Sequence, residues 1–189
     1  MVKIYLAGPD VFLPNAIERG NYMKNFCRKN GFEPLFPFDN DNEASTAKTI
    51  FENNLYMLHQ CDVVLANISP FHGPSADVGT VWEMGYASGL GKTVVTYSND
   101  LRDLQTRIIE FNGPLINGKT KDGMGFDDFG EIDNLMLVKG LGTEVFPSFE
   151  DAIGYLNTIF DYQKNKSSVY KEIDDLPNFV VPSHPGDLS

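Results

Sequence analysis

The sequence predicts an α/β fold, a doubly wound parallel sheet with helices on both faces. Three observations predict it. Short apolar runs alternate with segments of helical periodicity, the order that builds βαβ units with right-handed crossovers. Asp62-Val-Val-Leu-Ala-Asn67 is almost continuously apolar, the pattern of a strand covered on both faces. The chain has 189 residues, 42% of them hydrophobic, enough for one domain with a real core and too apolar for a disordered chain.

The elements follow in order. Lys3 to Ala7 is a short apolar strand that stops at the Gly8-Pro9 turn. Asn15 to Asn30 reads as a helix, preceded by Pro14, ended by Gly31, with Ile17, Met23 and Phe26 as its apolar face. Glu33 to Phe38 is a proline-broken strand. Ser45 or Thr46 caps a helix running to about Gln60, with Ile50, Leu55 and Leu58 inward. After the buried strand at Asp62 comes a loop, Ser69 to Asp77, and then a helix of about Val78 to Leu90. Thr93 to Tyr97 is another buried strand and Leu101 to Phe111 another helix. Asn112 to Asp133 is rich in glycine turns, a length of loop that suits a lid. Leu135 to Val138 and Glu144 to Phe146 read as short strands, and Phe149 to Phe160 as a closing helix. The expected division is a body over 1–160 and an extended polar tail over 161–189, in which Phe179-Val-Val181 is an apolar docking candidate.

Charge narrows the partners. Fifteen basic against 26 acidic side chains give a net charge of −11. That disfavours binding to nucleic acid through its phosphates and to anionic membranes, and favours a small, weakly charged ligand. No apolar run reaches a membrane span and the N-terminus lacks a signal-peptide layout, so a cytoplasmic location is expected. Cys27 and Cys61 form no CxxC pair and read as reduced and structural. His59, His72 and His184 form no metal-binding spacing, so no metal is expected.

In such sheets ligands bind at the C-terminal strand edge, where strand order reverses. Attention therefore falls on Gly8-Pro9-Asp10, on Asp39-Asn40-Asp41, and on Asn67 to Asp77 with the helix behind it. Within Ser69 to Lys92, Glu83 sits about one and a half turns into that helix, among Trp82, Met84 and Tyr86, so little of the helix is expected to face water. A carboxylate near a helix start is favoured by the helix dipole. Asp77 reads both as the N-cap and as a site residue, and the two roles are compatible. Gly79, Gly85 and Gly89 cost helix stability and point to close approach of a ligand or a strand. Ser69 and Ser75 either donate to a ligand or shape turns. Phe12 and Phe71 either stack on a ligand or belong to the core, and His72 is a loop histidine that either touches substrate or is solvated.

LAGPDVF (Leu6 to Phe12), Asp39-Asn40, CDVVLANISPFHGPSADVGTVWEMGYA (Cys61 to Ala87) and DNLML (Asp133 to Leu137) together resemble the nucleoside 2-deoxyribosyltransferases. The resemblance implies a flavodoxin-like sheet of five strands. It also implies exchange of nucleobases on 2′-deoxyribose without metal or organic cofactor, so that the partners are deoxynucleosides and free bases. It places the nucleophile on Glu83, a substrate-site aspartate on Asp77, and on Tyr5 a tyrosine that contacts the nucleophile. Gly8, Pro9, Phe12, Ser69, Phe71 and Gly79 fall in the matching substrate segments. Asp39, Asn40 and Asp41 match a loop on the base side. Asn134 and Met136 match a segment that reaches a neighbouring subunit's sugar pocket, which implies a homo-oligomer with shared sites.

The chemistry suits these residue types. A carboxylate captures an oxocarbenium-like sugar as a covalent ester, and a second base then displaces it with net retention; water does so slowly when no base is present. One position departs from the family pattern. Some members carry on the second helix an aspartate thought to handle the leaving base's proton, and here Asn54 stands there. An amide hydrogen-bonds a base but is no useful acid, which leaves Asp77, the Asp39/Asp41 pair or water. Two other functions compete: a 2′-deoxynucleoside 5′-monophosphate N-glycosidase, disfavoured because Asp77 would repel a phosphate, and a non-catalytic nucleoside-binding domain, which has no need of Glu83.

Overall fold

A computed structural model describes residues 1–40, 46–140 and 144–174. Five strands, β1 (Val2–Ala7), β2 (Phe32–Leu35), β3 (Val63–Asn67), β4 (Thr93–Tyr97) and β5 (Val145–Phe146), form one sheet in the order β2-β1-β3-β4-β5, all parallel. This is the flavodoxin-like order, and strand order reverses between β1 and β3. Register there pairs Tyr5 with Val64 and Ala7 with Ala66.

The connecting helices are α1 (Ala16–Lys29), α2 (Ala47–Gln60), α3 (Val78–Gly89), α4 (Leu104–Asn112), the single turn α5 (Leu135–Val138) and α6 (Phe149–Asp174). Alternation along the strands splits the core in two. Tyr5, Ala7, Val64 and Ala66 pack with Met57, Leu58, Met84 and Ala87 of α2 and α3. On the other face Tyr97 and Phe26 of α1 meet the ring of Phe149. Ile4, Tyr5, Leu58, Val63, Val64, Leu65 and Ile153 are wholly shielded from solvent, as expected for strands covered on both faces.

Several expectations are corrected. Leu135–Val138 is a helical turn rather than a strand: the Asn134 side chain caps it by accepting from the Met136 N–H, and only β5 completes the sheet. Ile17 is 74% exposed, so the inward face of α1 runs through Ala16, Gly20, Met23 and Cys27 instead. Gly20 lets the Phe36 ring lie where a Cβ would sit at 2.5 Å. The final helix does not stop at Phe160 but continues to Asp174, so the beginning of the predicted extended tail is helical. The chain forms two compact units, Met1–Ile153 and Gly154–Ser189, and α6 starts in the first and continues in the second. Ser45, Asp41 and Phe179 to Val181 lie outside the described residues. Among the described residues no helix is long and apolar enough to cross a membrane.

Candidate active site

Tyr5 is central in β1 and faces α2 and α3. Its ring is fully buried, and a buried phenol needs a partner for its O–H. The hydroxyl donates to Glu83 Oε1 at 2.7 Å. Asn54 on α2 donates through Nδ2 to the same oxygen at 3.4 Å. No described residue donates to Oε2. Two elements distant in sequence, β1 and α2, thus converge on a carboxylate carried by a third, α3.

Burial pushes the Glu83 carboxyl from an ordinary 4.5 up to about 7; the Tyr5 hydrogen bond opposes this, the nearby Asp77 charge adds to it, and Asn54 opposes it. Desolvation disfavours the charged form, and the two donors favour it. A carboxyl that changes charge near neutral pH at a strand edge is suited to chemistry.

Asp77 caps α3. Its Oδ2 accepts from the Thr80 N–H at 2.8 Å and the Thr80 hydroxyl at 2.9 Å. A Cβ on Gly79 would lie 3.1 Å from that oxygen, so the glycine leaves the cap room. Gly85 and Gly89 have no described atom within 4 Å of such a Cβ, so no packed strand explains them. The helix is also less covered than predicted: Trp82 is 47% exposed and stacks on Tyr86 and against Phe51, while Met84 goes inward.

The remaining predicted residues fall in separate places. Gly8 (φ +150°) precedes a 3-10 turn, Pro9–Phe12, and a Cβ on it would lie 2.6 Å from the Asn67 Cβ, so this position demands glycine. Phe12 stacks on Phe71 with centroids 5.1 Å apart, and both rings, with Pro9 and Ser69, line a cavity of about 310 Å³. The Ser69 hydroxyl donates to Asn67 Oδ1 at 2.6 Å and accepts from the Asn99 N–H at 3.0 Å, which commits it to shaping the turn. His72 is exposed and has φ +54°. Asn134 and Met136 line a second, apolar cavity of about 350 Å³ with Val78, Val81 and Gly85. Asp39 pairs with Lys24 beside a third of about 410 Å³. Asn40 ends the 3-10 turn Pro37–Asn40, and Asp41 lies outside the described residues. Among the described residues no three His, Cys, Asp or Glu side chains converge as a metal-holding group.

Three carboxylates that were given no role from the sequence, although Asp10 lies in a segment it singled out, organise these segments. Asp10, 5% exposed, accepts from Arg19 Nε at 2.9 Å and Asn67 Nδ2 at 2.7 Å, tying the Gly8-Pro9 turn to the end of β3. Asp133, 1% exposed, accepts from the Ser75 hydroxyl, from the Ala76 N–H at 3.0 Å and from the Asn134 N–H at 2.8 Å. It joins the loop before Asp77 to the segment that carries Asn134. Asp127 accepts from Asn134 Nδ2 at 2.7 Å. Asp10 and Asp133 stand inside the quoted motifs, but no local pattern tells a buried bracing carboxylate from a solvated one.

Fold and site define a class: flavodoxin-like α/β proteins with a carboxyl on α3 held by a tyrosine of β1. The chain belongs to the nucleoside 2-deoxyribosyltransferase family, whose family model matches residues 4–136. It is 37% identical to a solved 2-desoxiribosyltransferase from Leishmania mexicana, with a TM-score of 0.70 over 84% of this chain and 98% of that one. A 2-deoxyribosyltransferase from Bacillus psychrosaccharolyticus, 23% identical with a TM-score of 0.52 over 79% of this chain and 89% of that one, shares the fold. An uncharacterized protein of Schizosaccharomyces pombe is 34% identical over 107 residues, 52% of this chain and 51% of that protein. The chain therefore spans about half the length of that curated relative.

Proposed function

We propose that this protein transfers the 2-deoxyribosyl group from one nucleobase to another by double displacement on Glu83. The observation that carries the reading is the Glu83 carboxyl held by Tyr5 and Asn54 through one oxygen, with Oε2 unbonded by any described residue. In the first step Oε2 attacks C1′ on the face opposite the base. The C1′–N bond breaks, its electron pair leaves with the base, and a glycosyl ester remains on Glu83. In the second step a ring nitrogen of the incoming base attacks C1′, the ester bond breaks back to carboxylate, and configuration is retained. Water in place of the base gives slow hydrolysis. Tyr5 holds the carboxylate and lowers its proton affinity. Asp77 fixes the start of α3 while its charge suits a cationic transition state.

The catalytic domain is taken as residues 1–160, with 161–189 appended. Asn134 and the 73% exposed Met136 are assigned to a neighbouring subunit's sugar pocket, so the working unit is at least a dimer. Asp127 and the Met136 N–H already orient the Asn134 amide. Deoxynucleoside salvage in the cytoplasm is the role that this activity would serve. The test is incubation with deoxyinosine and free adenine. Formation of deoxyadenosine supports the transferase; cleavage of deoxynucleoside 5′-monophosphates faster than this exchange would make the protein a hydrolase, and neither reaction would leave a binding domain.

A further inference from the structure

Asn134 stands exposed at the start of the four-residue helix α5, a turn too short to hold itself in water. Asp133 Oδ1 accepts the Asn134 N–H at 2.8 Å. Asp127, half-buried on the loop before it, brings one oxygen to two donors. Its Oδ2 accepts from Asn134 Nδ2 at 2.7 Å and from the Leu135 N–H at 3.0 Å. At the other end of the amide, Asn134 Oδ1 accepts from the Met136 N–H at 3.0 Å. The amide is therefore locked in one sense. A flip would set its oxygen against the carboxylate and its nitrogen against an N–H, and both bonds would be lost. In this sense it keeps one N–H and one lone pair that no described residue takes. It lines the apolar cavity shared with Met136, Val78 and Val81.

Capping explains only part of this. The bond from the Leu135 N–H serves the helix start, which Asn134 Oδ1 already caps through Met136. The bond from Asn134 Nδ2 satisfies no backbone group. Nor does burial require it, since an exposed amide has water for partners. Its effect is to fix a side chain that would otherwise turn freely. The inference rests on the transferase reading with sites shared between subunits. We propose that Asp127 is a positioning residue for the neighbouring subunit's site, holding the Asn134 amide in the pose that meets the neighbour's sugar. An amide fixed before the sugar arrives loses less freedom when it binds. Through Asp127 the loop between α4 and α5 acts on a Glu83 that belongs to another chain.

The test is complementation between two variants, read as kcat/KM for exchange between deoxyinosine and adenine. Asp127→Ala alone is expected to lose about tenfold, the worth of one hydrogen bond to a charged group. It is then co-expressed with Glu83→Gln, each chain carrying its own affinity tag, and oligomers that hold both tags are isolated. In these, the Glu83 of the alanine chain meets an intact Asp127 and Asn134 from the glutamine chain. The rate per alanine chain is expected to rise from about one-tenth of the wild-type value toward that value. A role confined to the folding of its own chain gives no such rescue. The proposal is overturned if Asp127→Ala exchanges like the wild type, if its loss persists in the mixed oligomers, or if no mixed oligomer forms. Asp127→Ser carries the same reading if the alanine variant does not fold. Absence of exchange by the wild type would remove the transferase reading and this proposal with it, an outcome distinct from failed rescue.

Discussion

The Tyr5 hydroxyl donates to Glu83 Oε1 at 2.7 Å, joining the first strand to the third helix across 78 positions of sequence. The bond holds a carboxyl that burial has pushed up to about 7, and it pulls in the opposite direction. Removing it leaves desolvation less opposed. In Tyr5→Phe the Glu83 carboxyl therefore titrates higher, and the acidic limb of the rate profile moves to higher pH. At pH 6 exchange falls by roughly tenfold or more, since each pKa unit changes the ionised fraction tenfold below the midpoint. Rates measured from pH 5 to 9 check this.

Asp77 predicts the opposite shift. Its charge raises the Glu83 carboxyl, while its Oδ2 caps α3. Asp77→Asn keeps a capping oxygen and removes the charge, so the acidic limb moves to lower pH. Asp77→Ala also loses the cap and costs about 1 kcal/mol of stability. The two variants together separate the electrostatic role from the structural one, by pH profile and thermal melting.

Glu83 also couples pH to stability. Its folded-state value lies above the ordinary 4.5, so the folded protein favours the protonated form. The associated stability is fully present below about pH 4.5 and is lost as pH rises through about 7. Glu83→Gln removes that dependence. The variant is expected to gain up to about 3 kcal/mol over the wild type above pH 7 and nothing below pH 4.5, read from denaturant melts at the two ends. The same variant has no transferase activity at any pH.

Asp133 predicts a purely structural loss. It is 1% exposed, and its Oδ2 lies 3.9 Å from the guanidinium of Arg107, which is 3% exposed and accepted by no described residue. Burial pushes the Arg107 guanidinium down, and Asp133 opposes this. Asp133→Ala strands that charge and frees the Ser75-Ala76 and Asn134 segments together, at a cost of about 3 kcal/mol. Asp133→Ala with Arg107→Met recovers part of the loss, because the buried charge goes with its partner. Thermal melts of the single and double variants measure this.

The sheet was legible because its strands are apolar runs between turn residues, and in Val63 to Ala66 the β-branched Val63 and Val64 favour the strand. Leu135–Val138 misled because four apolar residues suit a buried strand and a packed helical turn equally, and the deciding cap lies in the Asn134 side chain. Ile17 was apolar at a helical spacing yet stays 74% exposed, because the face α1 turns inward is that of Ala16, Gly20, Met23 and Cys27. Around the site, the contact of Tyr5 with Glu83 was legible through motif resemblance and the cap by Asp77 through its place at the helix start. The bracing by Asp10 and Asp133 was not, because a carboxylate's partners are set by strands and loops that meet only in the folded chain.

The central claim is that Glu83 becomes covalently glycosylated during exchange. The direct measurement is intact and peptide mass spectrometry of protein quenched in acid after mixing with deoxyinosine and no acceptor base. The account predicts a mass increase of one deoxyribosyl group, located on the peptide that contains Glu83, absent from Glu83→Gln and discharged when adenine is added. Active exchange with no adduct on that peptide, or with inverted configuration at C1′ in the product, would contradict it.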